Sequence, residues 1–186
     1  MASIGEHQQE IRNLMSASSQ ITERVRTEMR LHGPLGMSRT ILAQLVHTIP
    51  DVPDPEKFTS MSLNQLQFVR QQLGAAAAAT SELVGRSDEC QSEFVRLRGE
   101  PGDPHNTADQ RYLNARTSLG KRHGALEHTV ETASRAMAEL GDEGSLPDRA
   151  GCQSSLELIE EAEAGYVDAV AAGTVIDNDL GAFLER

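Results

Sequence analysis

Ten residues spaced alternately three and four apart form a seam from Leu66 to Leu97: Leu66, Val69, Leu73, Ala76, Thr80, Leu83, Ser87, Cys90, Phe94 and Leu97. No strand can carry this spacing, because strand side chains alternate with a period of two. The pattern predicts a helix over residues 63–98, about 54 Å long at 1.5 Å per residue. A helix of that length with one small and apolar stripe cannot stand alone in water, so it needs partners running beside it.

Five consecutive alanines, Ala75 to Ala79, occupy the middle of that helix. Alanine has the highest helix propensity, so the run stiffens the segment despite Gly74. It also makes the helix thin, and neighbours can approach closely. Leu73, Ala76, Ala77, Thr80 and Leu83 are therefore the expected close-packing or interface positions, against the same chain or a second copy.

Similar seams recur along the chain. Ile4, His7, Ile11, Leu14, Ser18, Ile21, Val25 and Glu28 predict a helix over residues 3–31, ended by "LHGPLG", where Gly33 can take positive φ and Pro34 stops propagation. Ser38 is placed to cap a short helix carrying Ile41, Leu42, Leu45, Val46 and Ile49. Ser62 and Gln65, like Thr107 and Gln110, have the spacing of a capping box. The seam after Thr107 runs Tyr112, Arg116, Leu119, His123, Leu126, Val130, Ala133, Met137 and Leu140, with Gly141 placed to end the helix. The last seam runs Cys152, Leu156, Ile159, Glu163, Tyr166, Val170, Gly173, Asp177, Leu180 and Leu184. Gly165, Gly173 and Gly181 weaken that helix but permit close approach, and a break near "AGTVIDND" is an open alternative.

The Pro- and Gly-rich stretches "IPDVPDPEKF" and "RGEPGDPHN" separate these helices. Aromatic content is 3%, without Trp, so strand-forming runs are absent. The expectation is an all-α antiparallel bundle of about four long helices and one short one. It forms a single domain over residues 1–186, with a possible division into a hairpin over 1–61 and a long-helix bundle over 62–186.

The net charge of −11 is unevenly placed: the first 140 residues hold 17 Asp and Glu against 15 Lys and Arg, the last 46 hold 11 against 2. This argues against direct nucleic-acid binding, which requires phosphate neutralisation by surplus cations. Glu157, Glu160, Glu161 and Asp168 form the expected acidic face of the last helix, for a basic partner or for solubility. Arg111, Arg116, Lys121 and Arg122 form a local basic set without the interleaved aromatics of a base-stacking site. No apolar run is long enough to span a membrane, and the first residues lack the basic and apolar regions of a signal peptide. The expected setting is the cytoplasm or another intracellular space, with Cys90 and Cys152 as free buried thiols.

Candidate chemistry is sparse. His123 and Glu127, four apart, share a helix face and are the best metal-ligand pair, but the chain contains no Glu-x-x-His of the kind that builds carboxylate-bridged centres. Asp103 and His105 in "GDPHNT" read as a loop followed by a cap at Asn106 or Thr107. No phosphate loop, dinucleotide fingerprint or nucleophile elbow is present, and no cofactor is expected. The sequence therefore points to a non-enzymatic building block that self-associates into a shell, coat or scaffold, a viral or phage nucleocapsid layer among them, with virion location in that case. The alternative is an intracellular adaptor or chaperone that binds a partner helix or a basic protein, and the third reading is a small metal-binding or enzymatic bundle.

Overall fold

The structure is a computed structural model that describes residues 4–49, 60–98, 107–142, 144 and 146–184. The described residues form five helices: α1 (Ile4–Glu28), α2 (Pro34–Leu45), α3 (Ser60–Arg98), α4 (Thr107–Glu139) and α5 (Arg149–Leu184). The described residues contain no strand, and the all-α bundle of four long helices and a short one is what the seams predict. Both long Pro/Gly-rich connectors, with Asp103 and His105, lie outside the described residues.

Contacts fix the direction of each helix. Arg96 of α3 pairs with Glu10 of α1 at 3.2 Å, and Phe94 stacks on Tyr112 of α4 with centroids 5.0 Å apart. At the other end of α3, Arg70 Nη2 donates to the Leu140 carbonyl at 2.8 Å. Ser155 Oγ of α5 donates to the Ala136 carbonyl at 2.7 Å, while His128 meets Glu161 at 3.3 Å. α4 therefore runs antiparallel to α3 and to α5. Ser19 Oγ donates to Asp177 Oδ1 at 3.0 Å, which closes the ring between α1 and α5. The ring order is α1, α3, α4, α5, with α1 and α4 on one diagonal and α3 and α5 on the other.

α2 continues the column that α1 begins. Along α5 in reverse order, Asp177 meets Ser19, Glu163 meets Arg39 at 2.8 Å, and Arg149 Nε donates to the Ile49 carbonyl at 3.0 Å. The column is interrupted at Met29–Gly33, and here the sequence expectation needs correcting. α1 ends at Glu28, and Pro34 opens α2 instead of stopping a helix. Proline suits the first helical turn, where its missing N–H has no partner to lose. Ser38 is no cap; its hydroxyl donates to the Pro34 carbonyl at 2.8 Å inside the helix. Gly33 has φ −70°, so it is not needed for a left-handed turn. Its role is steric, because a Cβ there would collide with the Glu28 carbonyl oxygen.

The buried side chains follow heptads. On α3 every seam residue from Leu66 to Phe94 is buried, and Leu97 is half-buried. On α4 the positions Tyr112, Leu119, Leu126, Ala133 and Leu140 are buried as predicted, as are Cys152, Ile159, Tyr166, Gly173 and Leu180 on α5. The second line of each seam is displaced by one residue. Arg116 and Met137 are exposed and His123 and Val130 half-buried, while Ala115, Arg122, Thr129 and Ala136 are buried. On α5 Leu156, Glu163, Val170 and Asp177 are half-buried, and Ser155, Ala162, Ala169 and Ile176 take the core.

α5 is continuous through "AGTVIDND", so the alternative of a break is removed. Its glycines show why. A methyl on Gly165 would fall on the Thr129 hydroxyl and one on Gly173 on Thr22, so both permit close helix approach, whereas Gly181 has only the Met15 terminus at 3.8 Å. α4 ends as expected at Gly141, with φ 74°, and Arg70 covers the last carbonyls. Asp148 begins α5 by accepting from the Gly151 N–H at 2.7 Å.

Candidate functional site

Two regions stand apart from ordinary core packing: the outer groove between α4 and α5, and a polar layer inside the bundle. The groove has a volume of ≈ 550 Å³. Its floor is Ser118, Ala125, Gly165 and Ala172, and its walls carry Lys121, His128, Asp168, Ala171 and Val175. The floor is low because small residues line both helices where Gly165 brings α5 onto α4. Val175 is 45% exposed, and on the adjacent face Val167 is 54% exposed.

The acidic residues expected to share a face do so in the exposed part of α5: Glu157, Glu160, Glu161 and Asp168 all point to solvent. Glu157, Glu160 and Glu161 crowd the end of the groove near His128, Asp168 lies level with Lys121 near its middle, and Arg111 lies beyond the other end. Arg111 lies within electrostatic reach of Asp179, whose carboxyl burial pushes above its usual value.

The predicted packing positions of α3 face the core. Leu73, Ala76, Thr80 and Leu83 are buried, and half-buried Ala77 packs against the same cluster. Thr80 Oγ1 lies 2.6 Å from the Tyr166 hydroxyl, which spans the α3–α5 diagonal. Burial pushes Tyr166 up to about 12 despite that hydrogen bond.

His123 Nε2 does meet Glu127 Oε1, at 2.5 Å, but no group of three or more His, Cys, Asp or Glu that could hold a metal ion exists among the described residues. Cys90 and Cys152 are free and buried. Burial pushes Cys152 up to about 11 and raises Cys90, which Arg122 opposes.

The polar layer centres on Arg122, which sequence reasoning placed in a basic surface set. It is 0% exposed. Its Nη1 reaches across the α4–α1 diagonal and donates to the Ser18 carbonyl at 2.9 Å, to Ser18 Oγ at 2.8 Å and to Thr22 Oγ1 at 3.3 Å. Nε and Nη2 have no hydrogen-bond partner among the described residues. Burial lowers the affinity of Arg122 for its proton, opposed by Cys90 and Asp177. A signal for its burial was present in the sequence: Ala115, Arg122, Thr129 and Ala136 are seven apart, a line that small residues dominate.

A second groove, ≈ 690 Å³, lies between α1 and α3 over Leu14, Ala17 and Cys90, with Glu10, Glu89, Glu93 and Arg86 around it.

These features define the molecule by class, as an up-down-up-down helical bundle with a charged side chain in its core and an acidic last helix. Comparison with known proteins takes it no further: no family model, no curated protein and no solved structure matches the chain. Among the described residues no helix is long and apolar enough to cross a membrane.

Proposed function

We propose that this protein is a non-enzymatic helical building block that self-associates through the outer α4–α5 face. The observation that carries the reading is the charge contrast across that groove. Its α5 side carries Glu157, Glu160, Glu161 and Asp168, and its α4 side carries His128, Lys121 and, further on, Arg111. A second copy related by a two-fold axis running along the groove lays α4 of each copy on α5 of the other and sets Lys121 beside Asp168 of the second copy. Such an isologous contact is self-complementary by construction. The exposed Ala164, Val167, Ala171 and Val175 supply its apolar centre. A helix of 36 residues is about 54 Å long, enough to contribute the ~800 Å² per partner that a specific interface needs.

A two-fold contact alone closes into a dimer, and a shell, coat or scaffold needs a second one. Met61 and Phe68, seven apart on α3 and 70% and 37% exposed, offer an apolar patch elsewhere on the molecule. A viral or phage nucleocapsid layer is one assembly of this kind. The adaptor reading draws on a different observation, the acidic surroundings of the α1–α3 groove, which suit a basic partner.

Light scattering after size exclusion tests the proposal. The wild type should form a dimer or larger species at tens of micromolar, weakened by salt. Lys121→Asp should dissociate it, and adding Asp168→Lys should restore it. A wild-type monomer at every salt concentration would sink the building-block reading and leave the adaptor.

A further inference from the structure

The strongest unexplained feature of the molecule is the bare edge of Arg122. Nε and Nη2 lie on one side of the guanidinium and point two parallel N–H groups in the same direction, the fork that engages both oxygens of a planar anion. Nη1, on the other side, is fully committed to Ser18 and Thr22. A guanidinium cannot escape burial by losing its proton at physiological pH, and a buried unpaired charge is among the costliest features a core can hold. Among the described residues no carboxylate hydrogen-bonds to it. Asp177 is within electrostatic reach, yet its Oδ1 accepts from Ser19 and it makes no hydrogen bond to Arg122.

We propose that the Nε/Nη2 edge of Arg122 is an internal binding site for one small monovalent planar oxyanion of the carboxylate class, such as formate, bicarbonate or nitrate, taken up from solution. Three observations set that class. The fork matches two coplanar oxygens in place of a single spherical ion. The site lies in the core, with Arg122 fully buried and Cys90 nearly so, and burial favours a small ion over a bulky acid. Finally, Cys90 is both within electrostatic reach of Arg122 and part of the floor of the α1–α3 groove, so the groove and the polar layer share a wall. The glutamates around that groove, Glu10, Glu89 and Glu93, repel multivalent anions such as phosphate more strongly than monovalent ones. Binding would lock α1 to α4, since the same guanidinium then holds Ser18 and Thr22 on one edge and the anion on the other.

The test is thermal unfolding of the wild type, Arg122→Met and Arg122→Lys over two decades of formate, nitrate and chloride concentration at constant ionic strength. For the wild type, each tenfold increase in formate or nitrate above the dissociation constant should raise the melting temperature by about 3–6 °C, and chloride less. Neither variant should distinguish the anions, because lysine keeps the charge but lacks the fork. Equal responses in wild type and Arg122→Lys would overturn the proposal, since they would reflect general salt effects. Asp177→Asn separates the remaining case. If Asp177 turns to fill the fork, this change destabilises as much as Arg122→Met and the wild type ignores formate, which also overturns the proposal. Should Arg122→Met fail to fold, the Arg122 Nε–H resonance of the wild type decides the matter. It must shift on titration with formate, and a resonance that stays fixed sinks the site.

Discussion

Ala76 and Ala77 are neighbours in one run, yet their surroundings differ. Ala76 is fully buried, whereas Ala77 is half-buried at the edge of the same cluster. Three extra carbons at Ala76 have no space to occupy, and overpacking costs about 1–3 kcal/mol. Ala76→Leu should therefore lower the melting temperature by several degrees, about 2–4 °C per kcal/mol for a chain of this size, and Ala77→Leu by clearly less. Equal effects would mean that the waist is not packed as described. Tyr166 makes a different prediction. Its folded pKa is raised to about 12, above the ordinary value of 10.0, so the folded state holds the proton that the unfolded state has begun to release. Its contribution is intact below about pH 10 and is lost as the pH rises from there through about 12. Tyr166→Phe should make unfolding free energy, measured by denaturant titration at each pH, less steep over that window. An unchanged slope would show that the hydroxyl does not stay protonated in the fold.

At the scale of the helix, glycines separate propensity from packing. Replacing a helical Gly by Ala gains up to ~1 kcal/mol where there is room. A methyl group added at Gly85 or Gly124 would meet nothing within 4 Å, so Gly85→Ala and Gly124→Ala should each raise the melting temperature by about 2–4 °C. Gly165→Ala should do the reverse, because the methyl displaces the Thr129 hydroxyl from the Ala162 carbonyl it bonds at 3.0 Å, and calorimetry will read the sign directly. The same interface explains how far the fold could be read from sequence. The apolar line of each seam, such as Leu119, Leu126 and Ala133, was legible because heptad spacing survives any choice of neighbour. The second line was misplaced on α4 and α5 because a helix at the corner of a bundle touches two neighbours and buries a wider arc than a paired coil. That arc was filled by Ala115, Thr129, Ala162 and Ala169, residues too small to dominate a pattern, and by Arg122, which reads as surface. The α1–α2 break was legible as a location but not as a mechanism, since sequence alone cannot tell a glycine needed for φ from one needed for clearance. The acidic face on α5 was legible because charge and helical spacing coincide there, whereas the groove beside it depends on Gly165 meeting α4.

For the molecule as a whole, two polar contacts cross the bundle axis in opposite senses, Thr80 with Tyr166 on one diagonal and Arg122 with Ser18 and Thr22 on the other. Each ties together helices that share little other surface, so they fix the relative rotation of all four columns. With α1 and α2 taken as one column, the remaining pairs are sequence neighbours except the pair of that column with α5. α1 must wait for α5, the last helix, before Thr22 can seat on Gly173 and Ser19 on Asp177. Order of assembly follows from that single non-local seam. The α3–α4 and α4–α5 hairpins are local and can form quickly, whereas closure between the chain's first and last helices carries most of the loop entropy. Contacts made after the rate-limiting step affect only the reverse reaction. In stopped-flow chevrons, Gly173→Ala should thus accelerate unfolding and leave the refolding arm in place, while Gly165→Ala slows refolding. The ring, in kinetic terms, is a hairpin stack that α1 shuts last.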